Sequence, residues 1–191
     1  GIEVLQKEWQ RKLEEAKKEI LRAEAVDSEY VLTKLSLAEV HARLHEWEEA
    51  LNYADATVAL DGQKTFFPTD SEEIRYVAQL ICGQAAQALE RWEEAETAYR
   101  RAATVPVIRR SEALGNLANM LNGLARKEEA LGVLEEALVL EPENSQHLFN
   151  KGVWHLEAND IDRAEALFRS TLEVQADCAP ALLNLGYIAK R

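Results

Sequence analysis

An all-α fold, built as a solenoid of stacked helix hairpins, is what this sequence predicts, and three observations carry the prediction. The first is a heptapeptide that recurs in phase: Leu44-His45-Glu46-Trp47-Glu48-Glu49-Ala50, Leu89-Glu90-Arg91-Trp92-Glu93-Glu94-Ala95 and Leu124-Ala125-Arg126-Lys127-Glu128-Glu129-Ala130. A weaker copy ends at Ala164 and a fragment ends at Ala16, so the alanines at 16, 50, 95, 130 and 164 lie 34, 45, 35 and 34 residues apart. The second is a small residue twelve positions before each of the last four alanines: Ala38, Gly83, Ala118 and Gly152. Two small residues at a fixed offset, one in each of two amphipathic stretches, let a pair of helices approach closely. The third is an apolar residue four places after the alanine and a small one seven places after it, as in Tyr99 and Ala102, Leu134 and Ala137, and Phe168 and Thr171. Those offsets share one helical face. Units of this length cannot bury their apolar faces alone and must stack on one another.

Residues 1–28 come first, as an N-terminal helix from about 2 to 26 whose Ala16, Ile20 and Ala23 repeat the second-helix pattern, making it a partial repeat or a cap. Residues 29–178 hold four hairpins. The 45-residue spacing is absorbed by an insertion near 62–73, where Gly62, Pro68 and Thr69-Asp70-Ser71 read as a loop, with Ser71 and Glu73 starting the next helix. Phe66 and Phe67 within it read as folded down onto their own helices, a binding finger being the alternative. Residues 179–191 form a last helix in which Leu182, Leu185, Gly186 and Ile188 repeat the first-helix pattern, either a cap or the first helix of a fifth repeat. The Glu-Glu pairs open the second helices, where they favour the positive end of the helix dipole and face solvent. Trp47 and Trp92, beside them, read as packing anchors.

At these positions the sequence resembles the tetratricopeptide repeat family. Leu117-Ala118, Leu121, Ala130, Leu134, Ala137 and Pro142 carry the resemblance, as do Gly152, Ala164 and Phe168. It extends over roughly residues 29–191 and implies a right-handed solenoid that acts as a protein-binding scaffold or adaptor, without catalytic residues or cofactor. The chain departs from the pattern at Thr57, at Gly62 and Ala176, where proline is usual, and at His41 and His155, where an aromatic is common.

In such stacks the first helix of each pair lines an inner groove. Asn116, Asn150 and Asn184 recur there at intervals of 34, and Asn119 and Asn122 continue the face of Asn116. Asparagine prefers caps and turns, so its recurrence inside helices asks for a reason. A carboxamide can pair with both the N–H and the C=O of an extended backbone, and a ladder of them reads main chain. This is similar to the asparagine ladders of other members of the family. The alternative is that these asparagines pair with one another or with water between helices. The expected peptide-binding set is Asn116, Asn119, Asn150 and Asn184, with Leu80, Gln84, Phe149, Val153 and Tyr187 beside them. A clamp for a chaperone's C-terminal carboxylate is disfavoured, because Leu35, Glu39 and Glu112 stand where its lysines and asparagine belong.

Charge narrows the partner. With 22 Lys plus Arg against 34 Asp plus Glu, the net charge is -12, which disfavours nucleic acid and anionic membrane surfaces and attracts basic polypeptides. No apolar run approaches a membrane span, so membrane insertion is not expected. Cys82 and Cys178 lie in helical patterns rather than in a paired framework, which suits the cytoplasm or another reducing, soluble compartment. His41 and His45, four apart, have a spacing that can bind zinc, but no cysteine or third histidine is near, so no metal is expected. No phosphate loop, nucleophile elbow or paired-carboxylate loop is present. Two other roles stay open: self-assembly, as a weak homo-oligomer formed through the ends or the Phe66-Phe67 loop, and substrate recognition within a larger enzyme.

Overall fold

The computed structural model describes residues 2–60, 71–106 and 109–190. Among them run the helices α1 (Ile2–Val26), α2 (Val31–Arg43), α3 (Trp47–Ala59), α4 (Ser71–Ala88), α5 (Trp92–Thr104), α6 (Arg110–Gly123), α7 (Lys127–Leu140), α8 (Ser145–Glu157), α9 (Ile161–Val174) and α10 (Ala179–Ile188). No strand occurs among the described residues, so the fold is all-α and its helices run as successive hairpins. Gly62, Phe66, Phe67 and Pro68 lie outside the described residues. The chain divides into two units, Gly1–Ala113 and Leu114–Arg191.

Four hairpin turns close in one way. His45, Glu90, Ala125 and Asn159 have φ of 60–61°. The amide after each donates to a carbonyl five residues back: Glu46 to His41 at 2.9 Å, Arg91 to Ala86 at 2.8 Å, Arg126 to Leu121 at 2.9 Å and Asp160 to His155 at 2.9 Å. This left-handed cap satisfies carbonyls that a helix end leaves open, and glycine is its usual occupant. The helices that follow, α3, α5 and α7, begin without a side-chain cap. Each carries two exposed glutamates in its first turn instead, at 48 and 49, 93 and 94, and 128 and 129, which favour the positive helix end. In α9, Asp160 Oδ1 accepts from Arg163 N at 3.4 Å.

The small residue of each first helix has a more specific task than the sequence suggests. A Cβ on Gly83 would stand 2.5 Å from Tyr99 Cδ1 and Cε1, and one on Gly152 would stand 2.8 Å from Phe168 Cε1. The glycines make room for a ring sixteen positions later. At the same register Ala118 goes with Leu134 and Ala38 with Ala54, all fully buried. Glycine thus accompanies an aromatic ring, and alanine a smaller side chain. Thr57 and Thr171, buried where alanine is usual, satisfy their hydroxyls by donating to Tyr53 O and Leu167 O, each at 2.8 Å.

In the first unit the core gathers Ala38, Ala50, Leu51, Ala54, Ile81, Cys82, Ala85 and Ala98, with Trp47 packed against it. Trp47 is therefore an anchor, whereas Trp92 is 38% exposed. Helix α1 packs on α2 and contributes Leu13 to the buried set. A polar network completes its attachment. Lys17 Nζ donates to both Glu46 oxygens at 2.8 Å, and His41 Nδ1 lies 2.5 Å from Glu46 Oε2. The His41 ring stacks on Tyr53 at 5.3 Å between centroids. Tyr53 Oη donates to Glu24 Oε2 at 3.1 Å, and Lys34 Nζ donates to Glu24 Oε1 at 2.5 Å. Hydrogen bonding from Lys17 holds the Glu46 carboxyl below its usual range despite burial, with help from His41. Burial alone would lower the Lys17 ammonium, but the Glu46 pair outweighs it and raises it.

In the second unit, Ala164, Phe168 and Ala181 form a cluster covered by Phe149, Val153, Leu156 and Leu185. His155 Nδ1 stands 3.4 Å from Asp160 Oδ2, at the register of His41 and Glu46. Both histidines at aromatic positions thus meet a carboxylate from the hairpin turn.

Candidate functional site

The second unit brings two of the expected asparagines together. Asn150 Nδ2 donates to Asn119 Oδ1 at 2.8 Å, and Gln146 Nε2 donates to Asn150 Oδ1 at 2.8 Å. A chain of three carboxamides therefore crosses from α8 to α6. Asn119 is exposed and Asn150 half-buried, so the chain lies at the surface. It spans 31 residues rather than 34, because the Asn150 side chain reaches the next asparagine along α6 from Asn116. Lys151 Nζ, beside it, pairs with Glu135 at 2.9 Å. On α6 a Cβ at Gly115 would overlap His147 Cε1, so glycine there admits the buried imidazole of α8.

The other expected residues divide by burial. Asn116 and Asn184 are half-buried, and Tyr187 is 55% exposed. Phe149 and Val153 are half-buried and pack on the Phe168 cluster, with the Phe149 ring 5.7 Å from that of Phe168. They present only part of their surface to a ligand. In the first unit, Gln84 is half-buried on α4. Leu80 is a correction: at 5% exposure it belongs to the core and offers no binding wall. Ile81 is likewise 5% exposed, and Gln87 is engaged in accepting from Tyr99 Oη at 3.0 Å. The physical reason is that α4 is enclosed by both α3 and α5, so its apolar residues are shared between two interfaces.

Sequence reasoning also missed a cavity of about 340 Å³ in the first unit, between α3, α4 and α5, with Gln79 and Cys82 among its lining. Cys82 Sγ lies 3.3 Å from Asp55 Oδ1, and burial, then the Asp55 charge, pushes its thiol far up. Cys82 and Cys178 are both free. Among the described residues no cluster of His, Cys, Asp and Glu is placed to hold a metal ion, and no helix is long and apolar enough to cross a membrane.

Successive helix hairpins that repeat at one register define a helical-repeat protein-interaction scaffold. The chain belongs to the tetratricopeptide repeat family, whose model matches residues 83–145, 116–173 and 149–190. It is similar to a Drosophila melanogaster protein described as a BBSome complex member BBS4 homolog, with 29% identity over 117 residues, 61% of this chain and 24% of that protein. The chain spans about a quarter of that relative's length. Solved structures share the fold. MamA matches with a TM-score of 0.72 and 18% identity, over 91% of this chain and 95% of that one. YrrB, a TPR protein with an unusual peptide-binding site, matches with a TM-score of 0.64 and 20% identity, over 90% and 82%. A thermophilic TPR protein of Thermus thermophilus matches with a TM-score of 0.68 and 17% identity, over 98% and 95%.

Proposed function

We propose that the protein holds an extended segment of a partner polypeptide on the α6–α8 face, with Asn119 and Asn150 at the centre and Asn116 and Asn184 continuing the row. The exposed Asn119 beside the half-buried Asn116, Asn150 and Asn184 is the observation that carries this reading; the Asn150–Asn119 hydrogen bond is the pairing that the alternative expects, but it uses only the Asn119 oxygen and an Asn150 amide hydrogen. It orients the two amides and leaves the Asn119 amide hydrogens available to a ligand carbonyl. Preorganised amides lose less freedom on binding, and each contact contributes roughly 0.5–1.5 kcal/mol. Phe149, Val153 and Tyr187 supply apolar surface beside the row, and Gln84 is the corresponding polar candidate on α4. The neighbour with an unusual peptide-binding site and the relative described as a BBSome complex member BBS4 homolog support an assembly role.

An affinity capture from lysate compares the wild-type chain with an Asn116→Ala, Asn119→Ala, Asn150→Ala, Asn184→Ala variant whose circular dichroism matches wild type. Loss of a defined set of partners supports the reading, and an unchanged set refutes it. A second reading, self-association through α10, is favoured by the exposure of Leu182 at 52% and Leu183 at 75%. It predicts a solution mass that rises with concentration and falls back in Leu183→Glu.

A further inference from the structure

The cavity between α3 and α5 has a counterpart within the molecule. The groove between α1 and α3, floored by α2, is its equivalent one repeat earlier, and there three large side chains fill the space: Lys34, His41 and Tyr53. Forty-five residues on, the same registers hold Gln79, Ala86 and Ala98. Two rings and an ammonium are thus replaced by two methyl groups and an amide, which accounts for the 340 Å³ left open.

The lining is chemically directional. Gln79 is only 6% exposed and has no hydrogen-bond partner among the described residues, although it lines the cavity. Its amide atoms are not among the enclosed polar atoms that lack a partner, so they open onto the cavity and can be met there by water or a ligand. The rim carries the exposed carboxylates of Asp55, Glu93 and Glu94 against the cation Arg101, so the lining is net acidic. The filled groove shows how such a place is used. Lys34 Nζ sits 2.5 Å from Glu24 and 5.4 Å from the centroid of the Tyr53 ring.

We propose that this cavity receives an arginine side chain from a basic segment of a partner protein. The aliphatic stem lies on Leu51, Val58 and Ala98, and the guanidinium donates to Gln79 Oε1 and to the rim carboxylates. Arginine fits better than lysine because its fork of donors serves an amide oxygen and carboxylates together, while its stem covers apolar surface. The site lies in the first unit and is independent of the asparagine row.

The test is an NMR titration of the isotope-labelled chain with a soluble nonapeptide carrying three arginines, against the same peptide with citrulline. The expected result is a shift of the Gln79 side-chain amide and the Ala98 backbone amide, with the citrulline peptide weaker by about tenfold or more. Ala98→Tyr, which fills the space as Tyr53 does and leaves the net charge unchanged, is expected to weaken the arginine peptide by about tenfold. If that variant does not fold, Gln79→Leu takes its place, with the same expectation. Equal binding by the folded cavity variant and wild type overturns the proposal, since the attraction is then only that of an acidic surface. Shifts confined to Asn119 and Asn150 overturn it as well, and absence of binding does the same.

Discussion

Replacing Gly83 by alanine tests the central packing rule of the hairpins. The new Cβ would meet Tyr99 Cδ1 and Cε1 at 2.5 Å and Cγ at 3.0 Å, well inside contact distance. The ring cannot yield freely, because Tyr99 is 2% exposed and its hydroxyl is held by Gln87 at 3.0 Å. Overpacking of this kind costs about 2–3 kcal/mol, while exchanging glycine for alanine inside a helix returns about 1 kcal/mol, leaving a net loss of about 1–2 kcal/mol. Gly132 in α7 is the control, because a Cβ there meets nothing within 4 Å. Gly132→Ala is expected to stabilise by about 1 kcal/mol. The sign of the Gly83 effect should reverse when Tyr99 is shortened to leucine, reproducing the Ala118 and Leu134 combination found in the third hairpin. Urea denaturation followed by circular dichroism reads all five chains, wild type and Tyr99→Leu included, with the slopes compared because repeat arrays can lose cooperativity. If Gly83→Ala stabilises as much as Gly132→Ala does, the close approach of ring and backbone is not what selects glycine, and the packing argument is wrong.

Three further expectations follow from the same geometry. Ala125, exposed at φ 61°, should gain about 0.5–1 kcal/mol on change to glycine, seen as a higher melting midpoint, because the left-handed strain disappears. The Lys17–Glu46–His41 network should make stability fall in acid. The Glu46 carboxyl is depressed from 4.5, so its contribution is present above that value and is lost as pH falls through the lower folded value. The Lys17 ammonium is raised from 10.5, so its contribution is complete below that value and is lost as pH rises through the higher folded one. Between pH 6 and 3, the melting midpoint of wild type should therefore drop further than that of Glu46→Gln; parallel curves would exclude the network as the cause. Finally, Cys82 should alkylate far more slowly than the half-buried Cys178 under native conditions, by mass spectrometry of the tryptic peptides, because burial and Asp55 both oppose its thiolate.

Much of the architecture is legible in the chain itself. A period of 34 or 35 residues, interrupted once, identifies the repeat because only a residue recurring at one register can occupy one place in every hairpin. The pairing of Gly83 with Tyr99 and Gly152 with Phe168, against Ala118 with Leu134, is also visible as a compensation of volumes, although it points past the alanine twelve positions on. The departures at Thr57 and His41 are legible as residue types, but their partners, Tyr53 O and Glu46, come from the folded turn and helix.

The site was less legible, because period alone does not say how many neighbours a helix has. Leu80 shares the apolar register that a groove would use, yet α3 and α5 enclose it. The Asn119–Asn150 bond joins different registers, since a side chain that leans along its helix selects its partner by reach and not by spacing. The open cavity depends on Gln79, Ala86 and Ala98 together, one small side chain from α5 and two residues of α4, none of which is unusual alone. Sequence by itself determined the repeat, its hairpins and their all-α class, because these follow from local periodicity. Tertiary structure decided which polar groups meet and which space stays empty, because those depend on packing among three helices at once.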